Sequence, residues 1–199
     1  MDQKAMFKIT YGLYLATVKV GDKVNGCIIN TVAQVANSPT RVAISISKSN
    51  YTNEMVLEAG KLIVTALSTK ANFETFKHFG FQSGRDVNKF EGMELPTVDG
   101  IPYLNYNSCA YLVCDVISST DLGSHTLFIA EVVDGEVLSD EEPITYGYYQ
   151  EHVKPKPQKP VSKGYRCTVC NYVYEGETLP EDFICPLCKH GAQDFEKIV

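Results

Sequence analysis

The sequence predicts a mainly β protein: a closed barrel of short strands, followed by a small metal domain at the C-terminal end. Short runs rich in β-branched and aromatic residues recur along the first two thirds of the chain. Only two brief stretches, TNEMVLEAG and NFETFKHFG, have a helical pattern. Near the C-terminus, Cys167, Cys170, Cys185 and Cys188 form a C-x2-C-x14-C-x2-C arrangement. Many strands with few helices favour a barrel over a parallel sheet, and two such cysteine pairs read as one metal site.

The elements follow in order. Residues 11–20, YGLYLATVKV, are a β-rich run closed by the turn GDKVNG, and CIINTVAQV after it completes a hairpin signal. RVAISIS and KLIVTALS are short buried strands, separated by the first helical stretch. The second helical stretch, like the first, ends at a glycine, a common helix stop. CAYLVCDVI and TLFIAEVV form a later pair around SSTDLGSH. There is no Gly-x-Gly-x-x-Gly unit and no internal repeat, which argues against a doubly wound dinucleotide domain. HVKPKPQKPVSK then interrupts the pattern, since its prolines block helix and sheet pairing and favour an extended chain. At about 3 Å per residue it spans roughly 35 Å, enough for two bodies to dock and part. The expected domains are therefore a barrel over residues 1–150, a Lys/Pro-rich linker over 151–163 and a metal domain over 164–199.

Charge follows this division. Residues 1–150 carry 11 basic and 17 acidic side chains, whereas the linker carries four lysines against Glu151. The net charge of −6 argues against nucleic acid as a partner, because phosphate recognition uses a basic face. Neither a signal peptide nor an apolar run of spanning length is evident, so a cytoplasmic protein without a membrane partner is expected. Seven cysteines, an odd number, suit reduced thiols better than a disulfide scaffold. Cys27, Cys109 and Cys114 lie in apolar strand patterns and read as small core residues.

Polar residues cluster where strands end. Asn30 and Thr31 follow CII, and Ser45, Ser47, Lys48, Asn50 and Thr52 run from one strand into a helix start. Hydroxyls, a lysine and a helix N-terminus together suit a phosphate, since N–H groups and a cation then face one anion. FGFQSGRD adds Ser83, Gly84 and Arg85, a flexible backbone and a bidentate cation. Taken by spacing alone, the same residues are more simply read as solvated loop residues and helix caps. His125, in GSHT, is by itself more simply a capped or buried structural residue at a strand entry than a catalytic one.

The segments YGLYLATVK, NGCIINTVAQVANSPTRVAISISKSNYTNEMVLEAG, FGFQSGRD, GSHTLF and ITYGYY resemble, in family order, the flavin reductase-like proteins. The resemblance implies an FMN-binding split β-barrel of Greek-key type, a homodimer whose FMN is reduced by NADH or NADPH. By that resemblance Asn30 and Thr31 contact the flavin edge. Ser45, Ser47, Lys48, Asn50 and Thr52 would hold the ring edge, ribityl chain and phosphate, and Ser83, Gly84 and Arg85 would close the site. His125 matches the family's histidine near the nicotinamide, although the usual Gly-Asp-His is Gly-Ser-His here.

The four cysteines alone suit zinc or iron, since tetrahedral sulfur sites serve both. Their flanks, YRC, NYVY, PEDFICPLC and DFE, resemble rubredoxin, with the abbreviated interval of rubrerythrin domains. Asn171 and Lys189 replace the family's glycine after each second cysteine. The whole chain resembles the high-molecular-weight rubredoxins of anaerobes, in which such a barrel is fused to a rubredoxin-like domain. This implies an oxidoreductase passing electrons from NAD(P)H through FMN to one iron, then to an electron-acceptor protein such as a flavodiiron oxygen or nitric oxide reductase. The alternatives are a flavin reductase with a structural zinc ribbon for partner recognition, and a carrier reduced by another protein.

Overall fold

The computed structural model describes residue 5, residues 8–155 and residues 163–198. Most of the Lys/Pro-rich linker, residues 156–162, lies outside the described residues. Contacts divide the chain into two compact units, Met1–Gln150 and Glu151–Val199.

In the first unit, β1 (Tyr14–Val20) and β2 (Lys23–Ile29) pair from Val20 opposite Lys23 onwards. The turn is thus only Gly21 and Asp22, shorter than the expected GDKVNG loop. Gly21 takes φ 55°, which a glycine adopts without strain, and so frees Lys23 and Val24 to extend the ladder. CIINTVAQV is not one strand either. It breaks at Asn30 and Thr31 into β2 and β3 (Val32–Asn37), and Thr31 O accepts the N–H of Ser45 in β4 (Thr40–Ser47). After β4 come β5 (Lys61–Leu67), the small hairpin β6 (Thr97–Val98) and β7 (Ile101–Pro102), and the long pair β8 (Ser108–Asp121) and β9 (His125–Val137). The main sheet is antiparallel with the order β2-β1-β5-β8-β9-β4-β3. Two strands adjacent in the chain, β2 and β3, therefore form its opposite edges.

This sheet curls around one core. Cys27 and Ile29 of edge strand β2 join Val42, Ile44 and Ile46 of β4 in the same cluster, with Ala16, Val64 and Phe128 between them. Register shifts in β8 at Val113/Cys114 and Val116/Ser118 supply bends of the kind that let a sheet close on itself. Helix α1 (Tyr51–Ala59) adds Met55 and Val56 to the core. It ends at Gly60, whose φ of 65° lets its N–H reach Val56 O. Helix α2 (Phe73–Gly80) starts at Asn72, whose side chain accepts the N–H of Thr75. Burying side chains such as Ile44 and Phe128 completely contributes about 1.5–3 kcal/mol each.

The second unit is built on little apolar surface. Strands β10 (Gly164–Cys167), β11 (Val173–Tyr174) and β12 (Phe195–Ile198) form a sheet of order β11-β10-β12. Phe183 contacts the rings of Tyr172, Tyr174 and Phe195, none of them fully buried. Among the described residues of this unit, the buried hydrophobic side chains are the four cysteines. Its core is the candidate metal site, so the metal would carry much of its folding energy.

Candidate cofactor slot and metal centre

The break at Asn30 opens a slot at the seam between the two sheet edges. A cavity of about 190 Å³ is lined by Leu13, Ile28, Ile29, Asn30, Ser45, Ser47, Asn50, His125 and Tyr146. Five of the residues expected from sequence thus meet in one place: Asn30, Ser45, Ser47, Asn50 and His125. Alternation along β4 buries Ile44 and Ile46 and leaves Ser45 and Ser47 facing the other way. Ser47 pairs across the ladder with His125, which places the histidine at the mouth. A lining that combines serine and amide groups with the apolar Leu13, Ile28 and Ile29 suits a flat ligand with a polar edge and an apolar face. That donor set fits a flavin.

His125 is exposed, and its Nδ1 lies 2.9 Å from Ser124 Oγ. Ser124 therefore supplies the ring with a partner where the family has an acid. Asp121, at the end of β8, acts elsewhere: its Oδ2 pairs with Lys48 Nζ. Lys48, with the Gly123 N–H, holds the Asp121 carboxyl below its ordinary value. Lys48 is thus engaged by the β8–β9 hairpin rather than presented free to a phosphate.

A second cavity, of about 300 Å³, is lined by Gly84 and Arg85 together with Asp22, Lys23, Val24, Tyr51, Asp86, Val87 and Asn88. Asn50 lines the first cavity and Tyr51 the second, so the two flank the start of α1. The Asn50 side chain does not cap the helix. The Arg85 guanidinium lies 4.7 Å from the centre of the Tyr51 ring and pairs with Glu54. Three predicted residues act from behind the walls. Thr31 Oγ1 donates to Asn30 Oδ1 at 3.2 Å, and Ser83 Oγ accepts the Arg85 N–H. Thr52 is buried and accepts from Asn25 Nδ2, so it lines neither cavity.

Tyr146 and Leu13 were not singled out by sequence reasoning, although YGLYL and ITYGYY were among the resembling segments. They reach the slot because Gly12 pairs with Thr145, and Tyr146 N donates to Tyr11 O. No local pattern announces a contact between residues so far apart.

In the second unit the sulfurs of Cys167, Cys170, Cys185 and Cys188 all lie within 4.8 Å of one another, and all four residues are buried. Cys167–Cys188 and Cys170–Cys185 are 3.5 Å apart. Tetrahedral metal–sulfur bonds of ~2.3 Å would set such edges at about 3.8 Å, so the cluster fits one ion. The two loops share a design. Asn171 N donates to Cys167 O and Lys189 N to Cys185 O, with Asn171 at φ 63° and Lys189 at φ 61°. Both residues that replace glycine thus adopt the left-handed backbone that the loop requires. Burial raises the Cys167 thiol, against the N–H groups of Cys170 and Val169, which favour its thiolate. Contact with Cys188, then burial, raises Cys170. A bound cation would hold the four sulfurs as thiolates.

A model of the flavin reductase like domain matches residues 6–156, most of the chain. The chain belongs to the flavin reductase-like family. Within this flavin reductase-like protein, residues 165–196 match the rubrerythrin, rubredoxin-like domain. The high molecular weight rubredoxin of Moorella thermoacetica is 36% identical, with 100% of both chains covered. The ferric-chelate reductase (NAD(P)H) of Archaeoglobus fulgidus is 37% identical over 80% of this chain and 94% of its own. A putative diflavin flavoprotein of Nostoc is 31% identical over 69% of this chain, which corresponds to 24% of that longer protein. Among solved structures, the NADH:FAD oxidoreductase of Streptomyces globisporus has a TM-score of 0.64 at 21% identity, covering 72% of this chain and 85% of that one. An FMN-binding protein from Thermus thermophilus has a TM-score of 0.60 at 21% identity, covering 66% and 72%.

Proposed function

We propose that the protein passes electrons from NADH or NADPH, by way of FMN and a four-thiolate iron, to a separate electron-acceptor protein. It is a flavin-dependent NAD(P)H oxidoreductase with two resident cofactors, FMN and one iron per chain. When bound, FMN would supply chemistry that takes up a hydride and yields single electrons, and iron held by the four cysteines would supply one-electron chemistry. The observation that carries this reading is the union, in one chain, of the seam slot with a buried four-thiol cluster.

The residues divide the work. Asn30, steadied by Thr31, and Ser45, Ser47 and Asn50 hold the flavin's polar edge, while Leu13, Ile28 and Ile29 cover an apolar face. Lys48, Arg85 and the first turn of α1 present positive charge to the phosphate, with Ser83 and Gly84 shaping the Arg85 loop. Thr52 acts at one remove, by fixing Asn25 beneath that loop. His125, oriented by Ser124, positions the nicotinamide at the mouth. Cys167, Cys170, Cys185 and Cys188 are the metal ligands.

A slot of about 190 Å³ is smaller than the ~300–1,000 Å³ of ordinary ligand pockets, which leaves a side for a second copy to complete. Val35, Ile117, Val133 and Val137 are exposed on β3, β8 and β9, and a homodimer would cover such surface. A flavoprotein acceptor, of the flavodiiron class, accords with the Nostoc relative, in which a similar segment belongs to a longer diflavin protein. The cysteines are all free thiols, in keeping with a cytoplasmic setting. No helix among the described residues is long and apolar enough to cross a membrane.

The test is an anaerobic NADH titration of the isolated protein, with flavin, iron and zinc quantified. Because the iron lies downstream of the flavin, loss of the ferric colour before or together with bleaching of the flavin is expected. A colourless zinc site beside a reducible flavin would instead support the zinc-ribbon alternative. A flavin untouched by NADH and NADPH would leave only the carrier.

A further inference from the structure

One charged side chain in the second unit has no part in the function above. Lys154 is only 9% exposed, and its Nζ donates to Thr168 O at 3.1 Å. Next to it, Pro155 O accepts from Asn171 Nδ2 at 2.8 Å. Thr168 follows Cys167 and Asn171 follows Cys170, so residues 154 and 155 are fastened to both ends of the first cysteine loop. Sequence placed these two residues in the linker, yet they cluster with the compact unit Glu151–Val199.

Asn171 makes the arrangement specific. Its left-handed backbone could be supplied by glycine, but glycine has no amide to hold Pro155. A buried ammonium is costly unless hydrogen-bonded and matched by negative charge. Thr168 provides one bond. Burial lowers the Lys154 pKa, and Cys167, Cys170, Cys188 and Glu196 act in the opposite sense; the bond to Thr168 O, next to Cys167, keeps the ammonium beside the cysteine loop. When the four thiols hold iron, adding one electron gives that cluster one further negative charge. A fixed cation nearby favours the reduced form.

We propose that Lys154 is a positioning residue for the metal centre, held against the first cysteine loop by Thr168 and the Asn171–Pro155 clasp, where its charge raises the reduction potential of the iron. The effect biases electrons to move from flavin to iron. This inference rests on the iron reading above, and the experiment separates the two.

Full-length protein and the variants K154M, K154R and N171G are compared by metal analysis and by spectroelectrochemical titration of flavin and iron. In K154M the iron midpoint falls by about 59 mV, a roughly tenfold change in a one-electron equilibrium, while the flavin midpoint stays in place. K154R stays within about threefold of the parent. N171G shifts in the same direction by less, because the Thr168 bond remains. An unchanged iron midpoint in K154M overturns the proposal, as does an equal fall in K154R, which would mean packing rather than charge. Loss of the metal from K154M would make Lys154 structural and overturn it too. If the isolated protein holds zinc, the iron reading fails on metal analysis alone, and anaerobic exchange for ferrous iron still permits the titration.

Discussion

Lys48 offers the sharpest test of the slot, because the structure gives it a competitor. Its ammonium pairs with Asp121, and the two side chains are 41% and 67% exposed. An exposed pair of this kind is weak and exchangeable, so a phosphate arriving beside Ser47 and the start of α1 can take the lysine from Asp121. A charge-assisted contact to phosphate is worth about 1.5–3 kcal/mol, so Lys48→Ala should weaken FMN roughly ten- to a hundred-fold. Asp121→Asn removes the competitor and should leave FMN binding equal or a few-fold tighter. Quenching of flavin fluorescence, titrated into the flavin-free protein, measures both. Riboflavin, which lacks the phosphate, is the control and should not distinguish the three proteins. If Lys48→Ala binds FMN as the parent does, or if Asp121→Asn weakens it, Lys48 serves the β8–β9 hairpin and not the cofactor.

Three further outcomes follow from the geometry. Cys185→Ser replaces a soft thiolate with a hard hydroxyl, so the iron colour should bleach or move and acceptor turnover collapse, while NADH still reduces the flavin; persistent acceptor turnover in that variant would show that electrons leave directly from the flavin. Gly84→Ala would place a methyl 2.1 Å from Oδ1 of Asn25, which is itself buried and bonded to Thr52. A loss of about 1–3 kcal/mol in urea unfolding is expected, and no loss would mean that the Arg85 loop moves freely away. Lys89 is buried, donates to Gly26 O and Phe79 O, and has its pKa pulled by burial from 10.5 to about 8. Between those values the unfolded chain keeps a proton that the folded one lacks, so stability rises with pH across the window and the cost is fully present below about pH 8. The gain from pH 7 to 10 should exceed that of Lys89→Met by roughly 1–3 kcal/mol, and parallel profiles would show that the two carbonyls keep the ammonium charged.

Much of the molecule was legible where chemistry is local. The alternation in RVAISIS marks which side chains of β4 enter the core, and the cysteine spacing marks the metal cluster without help from anything distant. Topology was less legible. Nothing in CIINTVAQV signals that the chain leaves one edge of the sheet at Asn30 and enters the other at Val32, since the run holds neither glycine nor proline. The decision is made by the hydrogen bond from Ser45 to Thr31 and by the curl that brings both edges to one core. The partners of individual charges were hidden for the same reason. Lys48 and Asp121 are 73 residues apart, and Lys89 reaches Gly26 across 63. Lys154 read only as one of four linker lysines, because composition reports stiffness and charge, not which carbonyl lies within reach.

The seam at Asn30 has a mechanical meaning. A sheet whose two edges face each other without a shared ladder resembles a cuff held by one button. Ile28 and Ile29 of β2 and Ser45 and Ser47 of β4 line the same slot, and a ligand that touches both strands fastens it. Occupancy of the slot then enters the unfolding equilibrium directly, adding about 2.7 kcal/mol at a hundredfold excess over the dissociation constant. The barrel is therefore firmest when it is ready to work, and a chain stripped of flavin is the form in which breathing at this slit should be easiest to see by hydrogen exchange.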